Sequence, residues 1–161
     1  MSDKRITVIG GGAWGTALAI QAVRAGADVE LVLRDRALAE RIDTSGENDV
    51  YLPGIKLPKA LRATIAIDGL RESDAVLLVT PAQHLRSTLI KLAPHWPETL
   101  PAVICAKGIE KGTGALMAQV VNETLGDVPV AVLSGPTFAQ EVAKGLPAAI
   151  TLACSDRNLG K

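Results

Sequence analysis

The segment of the chain best suited to bind an anion is a glycine-rich turn close to its start. Gly10, Gly12 and Gly15 have the spacing G-x-G-x-x-G, between a run of β-branched residues and a helical pattern rich in Ala and Leu. In this setting the first glycine permits a tight turn, the second lets a pyrophosphate approach the backbone, and the third lets the helix pack closely on the strand. Free N–H groups at the start of the helix then face the phosphates. The turn therefore predicts a dinucleotide site.

The end of the second predicted strand bears on which nicotinamide cofactor is bound. Sites for NAD carry an Asp or Glu there, which accepts hydrogen bonds from the ribose 2′-hydroxyl. In this chain the position is Leu33, followed by Arg34. Arg34 can donate a fork of hydrogen bonds to a 2′-phosphate, a contact worth about 1.5–3 kcal/mol, or roughly tenfold to a hundredfold in affinity. We therefore predict that NADPH is preferred and NADH tolerated; Asp35 is the alternative partner for a ribose hydroxyl if its side chain turns inward.

Three further segments follow predicted strands, and the ends of strands carry the ligands in open α/β sheets. They are residues 79–82, 106–110 and 134–139. Lys107 would place a cation in the crevice near the nicotinamide end, where it can hold a phosphate or a carbonyl oxygen, unless it is a solvated loop lysine. Backbone groups and a hydroxyl of the turn formed by Gly135, Pro136 and Thr137 would face the same crevice, unless the turn only reverses the chain.

The elements that must position these residues alternate between strand and helix. Apolar runs of strand length are nearly continuous, as in strands buried on both faces, and helical patterns separate them. The predicted strands are residues 6–9, 29–33, 64–67, 75–79, 102–106, 130–133 and 148–152. The predicted helices are residues 14–25, 36–42, 83–92, 116–125 and 138–143, and residues 44–49 form a predicted surface loop. This order predicts an α/β, Rossmann-like, doubly wound and mostly parallel sheet with helices on both faces.

The composition limits the partners of this fold. A chain of 161 residues with 48% hydrophobic residues is typical of one globular domain. Lys plus Arg and Asp plus Glu number 17 each, so the sequence carries no electrostatic signature of nucleic-acid binding. We expect no membrane span, no signal peptide and a cytoplasmic location. Cys105 and Cys154 lack any metal-ligand spacing, so no metal is expected, and both are predicted to be buried thiols in a reducing compartment.

Taken in order, the motifs resemble the bacterial-type NAD(P)-dependent glycerol-3-phosphate dehydrogenases over nearly the whole chain. The matching segments are residues 8–19, 51–54, 107–110 and 134–139, with residues 141–147 as a continuation of the last. Four motifs in the right order are far more specific than a glycine turn alone.

The resemblance implies a reaction and a set of site residues. The reaction is reduction of dihydroxyacetone phosphate to sn-glycerol 3-phosphate by hydride transfer, which feeds phospholipid synthesis. The implied cofactor contacts are Ala13, Trp14, Arg34, Lys107 and Ala139, and the implied substrate contacts are Lys107, Gly135 and Thr137. Lys107 is the candidate catalytic residue of this chain. For Trp14 the sequence leaves a second interpretation open, in which the side chain only fills the gap between helix and sheet.

The resemblance also implies what residues 1–161 lack. The family's catalytic lysine and most of its phosphate site lie in a C-terminal helical domain, through which the family largely dimerises. We therefore expect residues 1–161 to form an NAD(P)-binding domain that binds cofactor without turnover, is monomeric, and exposes apolar surface near the edge of the sheet. A homodimer is expected only for the full-length protein.

Two alternatives stay open on the sequence. Other two-domain dehydrogenases of the 3-hydroxyacid or ketopantoate reductase type share the glycine turn and the missing acid after the second strand. A Rossmann domain can also serve as a nucleotide-sensing module without catalysis.

Overall fold

A seven-stranded sheet with helices on both faces forms the described part of the chain, residues 4–156 of this computed structural model. Of the predicted domain of residues 1–161, only the first three and last five residues lie outside the described part. The strands are β1 Arg5–Ile9, β2 Asp28–Val32, β3 Arg62–Thr64, β4 Ala75–Leu78, β5 Ala102–Ile104, β6 Val130–Ser134 and β7 Thr151–Cys154. The helices are α1 Ala13–Arg24, α2 Arg36–Ser45, α3 Ala82–Leu92, α4 Met117–Leu125 and α5 Ala139–Lys144, with 3-10 turns at Asp68–Glu72 and Ala93–His95.

The order of the strands across the sheet is β3-β2-β1-β4-β5-β6-β7. Strands β1 to β6 pair in parallel, and β7 pairs antiparallel to β6. The chain progresses outward in one direction from β1 and in the other from β4, so the strand order reverses between these two neighbours. The predicted doubly wound fold is confirmed, and its ligand crevice is expected at the carboxyl ends of β1 and β4.

Successive side chains of the central strand β1 enter two different cores. Ile9 packs in a cluster with the apolar faces of α3 and α4, including Leu85 and Val120. Val8 packs in a second cluster with α2, including Ile42. Because neighbouring side chains of a strand point to opposite faces, both faces of the sheet are covered by helices, as predicted.

The glycine turn brings the start of α1 close to the end of β1. Gly10 has φ +121°, a conformation that side chains other than glycine rarely adopt. A Cβ on Gly15 would lie 1.8 Å from the carbonyl oxygen of Gly10, so any side chain there would push α1 away from the strand. Gly12 differs, because a Cβ there would meet nothing within 4 Å and its backbone is extended at φ −72°.

Three local predictions were wrong. Strand β3 begins and ends earlier than predicted because it pairs with β2, which ends at Val32. Strand β7 begins later than predicted because its partner β6 ends at Ser134, opposite Thr151. Residues 44–49 are not a surface loop throughout: α2 continues to Ser45, and Asn48 is fully buried.

The two thiols differ in their surroundings. Cys105 is buried, and burial raises the pKa of its thiol to about 12. Cys154 is only half-buried, because it lies on the edge strand β7, whose other residues are exposed. The prediction of a buried thiol is therefore right for Cys105 and wrong for Cys154. Within residues 4–156, no helix has both the length and the apolar character that crossing a membrane requires.

The contrast between Gly15 and Gly12 predicts two different effects of the same substitution. Gly15→Ala should lower the free energy of unfolding by about 3 kcal/mol, because its Cβ meets backbone rather than a flexible side chain. Gly12→Ala is the matched control and should change it by less than about 1 kcal/mol. Urea unfolding followed by circular dichroism measures both. Equal losses in the two variants would contradict the close contact between α1 and β1.

Candidate dinucleotide-binding site

A cleft of about 410 Å³ opens at the carboxyl ends of the central strands. Four segments far apart in the sequence line it: the glycine turn, the end of β4, the end of β5 and the start of α5. The lining residues are Trp14, Val79, Thr80, Pro81, Ala82, Cys105, Ala106, Lys107, Thr137, Phe138 and Ala139. The structure therefore brings together the predicted site residues Trp14, Lys107, Thr137 and Ala139.

The start of α1 offers a row of backbone donors beside this cleft. Gly12 precedes the helix in an extended conformation, and the helical hydrogen bonding begins with Thr16 N–H donating to Gly12 C=O at 2.9 Å. The N–H groups of Ala13, Trp14 and Gly15 therefore have no partner inside the helix. These donors and the open space at Gly12 fit the pyrophosphate of a dinucleotide.

Lys107 and Gly135, predicted to share the site, are joined directly. The ammonium group of Lys107 donates a hydrogen bond to the carbonyl oxygen of Gly135 at 3.1 Å. Two further N–H bonds of the ammonium group remain for a ligand, and the Lys107 side chain is exposed. The contact ties the segment after β5 to the segment after β6.

Two side chains of α3 hold the loop that begins at Lys107. The amide of Gln83 donates to the carbonyl oxygen of Ile109 at 2.8 Å and accepts from the N–H of Lys111 at 2.9 Å. Arg86 donates two hydrogen bonds, both at 2.9 Å, to the carboxylate of Glu110. Neither residue is predicted from the sequence, since no local pattern links a helix face to a loop more than twenty residues away.

The guanidinium of Arg86 is hydrogen-bonded to two carboxylates, those of Glu110 and Glu123. The hydrogen bonds from Arg86, followed by that from Thr113, lower the pKa of Glu110 to about 2. Arg86 also donates to Glu123 on α4 at 2.6 Å, and the two carboxylates raise the pKa of its guanidinium above the usual value. Arg86 therefore ties α3 to α4 as well as to the loop.

Polar atoms without a partner are concentrated at the cleft. Four buried side-chain polar atoms in residues 4–156 lack a hydrogen bond, and three of them belong to cleft residues: Trp14 Nε1, Thr80 Oγ1 and Thr137 Oγ1. A buried donor or acceptor left without a partner costs about 1–3 kcal/mol, so such groups are rare and need an explanation. Their position favours a polar ligand in the cleft.

Trp14 has a structural role as well as a place in the cleft. It is partly buried against a cluster of apolar residues from α1, α5 and residues 52–55, including Ile20, Leu52 and Val142. Trp14 thus packs among helices and residues 52–55 and not in the predicted gap between helix and sheet, and it also lines the cleft.

The residues after β2 include the two possible contacts to the ribose of a cofactor, Arg34 and Asp35, and their side chains have different surroundings. Leu33 is buried and packs against Gly11, where a Cβ would lie 2.3 Å from Leu33 Cδ2. Asp35 caps α2, because its carboxylate accepts a hydrogen bond from Leu38 N–H at 3.1 Å. Arg34 is exposed and makes no hydrogen bond or ion pair with residues 4–156. The carboxylate of Asp35 is therefore engaged in the cap, and the guanidinium of Arg34 is available.

A family model matches nearly the whole chain. Residues 5–160 match the family described as NAD-dependent glycerol-3-phosphate dehydrogenase N-terminus. The chain belongs to this family. The match decides against the other two-domain dehydrogenases that share the glycine turn.

Relatives with this family's name match the chain over nearly its whole length. The chain is 56% identical over 158 residues to glycerol-3-phosphate dehydrogenase [NAD(P)+] of Paramagnetospirillum magneticum, covering 98% of this chain and 58% of the relative. It is 49% identical to the enzyme of that name from Parvibaculum lavamentivorans, covering 100% of this chain and 48% of the relative. The crystal structure of glycerol-3-phosphate dehydrogenase from Coxiella burnetii matches with a TM-score of 0.91 at 32% identity, over 98% of this chain and 48% of that one. The chain thus spans about half the length of the relatives it matches.

Several large apolar side chains of this N-terminal domain are exposed beside the cleft and along the edge of the sheet. Phe138 is 74% exposed, Leu146 is 52% exposed and Leu152 is 46% exposed. Isolated exposed apolar residues are common, but several on neighbouring segments indicate a contact surface. The predicted apolar surface near the edge of the sheet is therefore present.

The low pKa of Glu110 predicts how its contribution to stability depends on pH. Because the pKa in the folded state lies below the usual value of 4.5, the stabilisation is complete above pH 4.5 and is lost as the pH falls towards 2. Glu110→Gln should therefore lower the urea midpoint at neutral pH, and its difference from the wild type should shrink across that window.

The control for this prediction is Glu98→Gln, which removes an exposed carboxylate with no cationic partner among residues 4–156. Its urea midpoint should follow the wild type at every pH. A difference between Glu110→Gln and the wild type that stays constant from neutral pH to acid would contradict the ion pair.

Proposed function

We propose that this chain is the dinucleotide-binding half of a glycerol-3-phosphate dehydrogenase that interconverts dihydroxyacetone phosphate and sn-glycerol 3-phosphate with NAD(P)H. The observation that carries the proposal is one cleft lined by Trp14 of the glycine turn, by Thr137 and by Lys107, whose ammonium group is bonded to Gly135. Membership of the N-terminal family and the names of the relatives support the reaction and the substrates. Residues 1–161 alone should bind the cofactor and not turn over.

The residues fit a nicotinamide dinucleotide laid across the sheet. The pyrophosphate would lie at Gly10, Gly12 and Gly15, against the free N–H groups at the start of α1. The guanidinium of Arg34 would hold the 2′-phosphate, which makes NADPH the preferred cofactor and leaves NADH possible. Contacts along the nicotinamide side would come from the cleft residues Trp14, Lys107 and Ala139, with Ala13 beside them at the start of α1. The cofactor, when bound, supplies the hydride.

Lys107 would be the catalytic residue that this half contributes. Its ammonium group is placed by Gly135 and keeps two N–H bonds for an oxygen of the substrate. A cation held next to a carbonyl oxygen stabilises the negative charge that develops there during reduction. Gly135 and the unpartnered hydroxyl of Thr137 would complete the contacts to the substrate on this side.

The second half of the relatives would supply what this half lacks. We propose that a C-terminal helical domain provides the residue that transfers the hydroxyl proton and most of the phosphate site, and that the homodimer forms through it. The exposed side chains of Phe138, Leu146 and Leu152 would pack against that domain. Residues 1–161 alone would be monomeric. The free thiols of Cys105 and Cys154 support a reducing compartment, the cytoplasm.

The role of Arg34 predicts an effect that depends on the 2′-phosphate. Arg34→Ala should weaken binding of NADPH by about tenfold or more, and should change binding of NADH by less than about twofold. Calorimetric titration of residues 1–161 with each cofactor measures both. Arg36→Ala, which removes a neighbouring exposed guanidinium, is the matched control and should have a smaller effect on NADPH. Equal losses for NADPH and NADH would exclude the 2′-phosphate contact, and a wild-type chain that binds neither would contradict the proposed function.

The role of Lys107 predicts a loss of turnover in the full-length protein. Lys107→Ala should lower kcat for reduction of dihydroxyacetone phosphate by at least about a hundredfold, the usual effect of removing a group that stabilises an oxyanion. Lys111→Ala, an exposed lysine in the same loop, is the control and should retain wild-type kcat. Wild-type kinetics in the Lys107 variant would remove this residue from the site, and an inactive wild-type protein that still binds nucleotide would favour a sensing module.

A further inference from the structure

Asn48 is a fully buried polar residue that the proposed site does not yet explain. Its side chain is 0% exposed and contacts three separate segments. The Nδ2 group donates to the carbonyl oxygen of Gly11 at 2.9 Å and to Thr16 Oγ1 at 2.8 Å. The Oδ1 atom accepts from the N–H of Tyr51 at 3.2 Å. Asn48 thus joins the glycine turn, the first turn of α1 and the segment that follows α2.

Asparagine is the residue type that this position requires. The carbonyl of Gly11 can only accept a hydrogen bond, and the N–H of Tyr51 can only donate one. The side chain between them must therefore present a donor on one side and an acceptor on the other. An amide does this without charge, whereas a carboxylate would place two acceptors and a negative charge in a buried position.

The contact with Gly11 determines the direction of the next N–H group. In a trans peptide unit the C=O bond and the following N–H bond point in opposite directions, and no described peptide bond is cis. With the carbonyl of Gly11 held towards buried Asn48, the N–H of Gly12 must point away from the interior. That N–H donates no hydrogen bond to residues 4–156, and the space beside Gly12 is open.

Among residues 4–156, the side-chain hydrogen bond to the peptide unit between Gly11 and Gly12 comes from Asn48. Gly11 and Gly12 have no side chains, and a pair of glycines has the widest choice of backbone conformations. The side chain of Leu33 packs against Gly11, but it offers no polar group to the peptide unit. The polar contact that orients the peptide unit between Gly11 and Gly12 is the one with Asn48.

We propose that Asn48 is a positioning residue for the dinucleotide: it holds the peptide unit between Gly11 and Gly12 with its N–H directed at the pyrophosphate. The proposal rests on the proposed cofactor site. Asn48 does not touch the ligand itself, so it acts only on the part of the ligand that the glycine turn binds. Binding of the 2′-phosphate, which is assigned to Arg34, should therefore not depend on Asn48.

The experiment compares two probes that differ in the pyrophosphate. ADP-ribose contains a pyrophosphate, and adenosine 2′-monophosphate contains only the phosphate assigned to Arg34. NMR titrations of residues 1–161 measure the affinity of each and follow the amide signal of Gly12. Asn48→Ala should lower the affinity for ADP-ribose by about tenfold, the effect expected from losing a hydrogen bond to a charged group. The affinity for adenosine 2′-monophosphate should change by less than about threefold.

Thr16→Val is the matched control, because it removes a different hydrogen-bond partner of the same Nδ2 group and leaves the contact with Gly11. It should destabilise the chain and yet retain the affinity for ADP-ribose within about threefold. If Asn48→Ala does not fold, Asn48→Ser replaces it, since a serine hydroxyl is too short to reach Gly11. In wild-type protein, ADP-ribose should move the Gly12 amide signal strongly, and adenosine 2′-monophosphate should not.

Three results would overturn the inference. One is an equal loss of affinity for both probes in the Asn48 variant, which indicates general loosening of the fold. Another is an unchanged affinity for ADP-ribose in that variant. The third is a loss in Thr16→Val as large as that in Asn48→Ala. A wild-type chain that binds neither probe would instead contradict the proposed function, and the inference would fall with it.

Discussion

The close approach of α1 to the end of β1 is the constraint on which the rest of the site depends. Gly15 sits so near the carbonyl of Gly10 that no side chain fits between helix and strand. This contact places the start of the helix, with its unpaired N–H groups, at the edge of the sheet where the strand order reverses. Asn48 and Leu33 pack around the same turn, one through hydrogen bonds and the other through apolar contact. Rigidity at this point matters because a turn made of glycines has little conformational preference of its own.

The opposite side of the cleft is held by polar contacts from α3. The side-chain amide of Gln83 pairs with both a C=O and an N–H of the loop after Lys107. Arg86 adds a charged contact through Glu110 and extends it to α4 through Glu123. Lys107 then reaches Gly135 on the next segment. A flexible lysine is in this way given a defined place, which lowers the entropy lost when a ligand binds.

The exposed edge of the sheet at β7 bears on the proposed second domain, since the relatives are about twice as long as this chain. The antiparallel β7 ends the sheet, and its residues 151–153 are exposed although the strand is mostly apolar. Phe138 lies on the cleft wall and is among the most exposed apolar side chains of residues 4–156. An apolar surface next to a ligand cleft supports the proposed packing of a second domain against this face.

The sequence alone determined the class of fold, the glycine turn, the absence of an acid after β2 and the segments that line the cleft. These features depend on local patterns: the period of the apolar residues, the spacing of glycines and the residues that follow each strand. The tertiary structure decided where β3 and β7 begin, because strand ends follow their partners across the sheet. It also decided that Asn48, Gln83 and Arg86 hold the turn and the loop. Their partners lie from twenty to forty residues away, and hydrogen bonds over such distances leave no periodic signal in the chain.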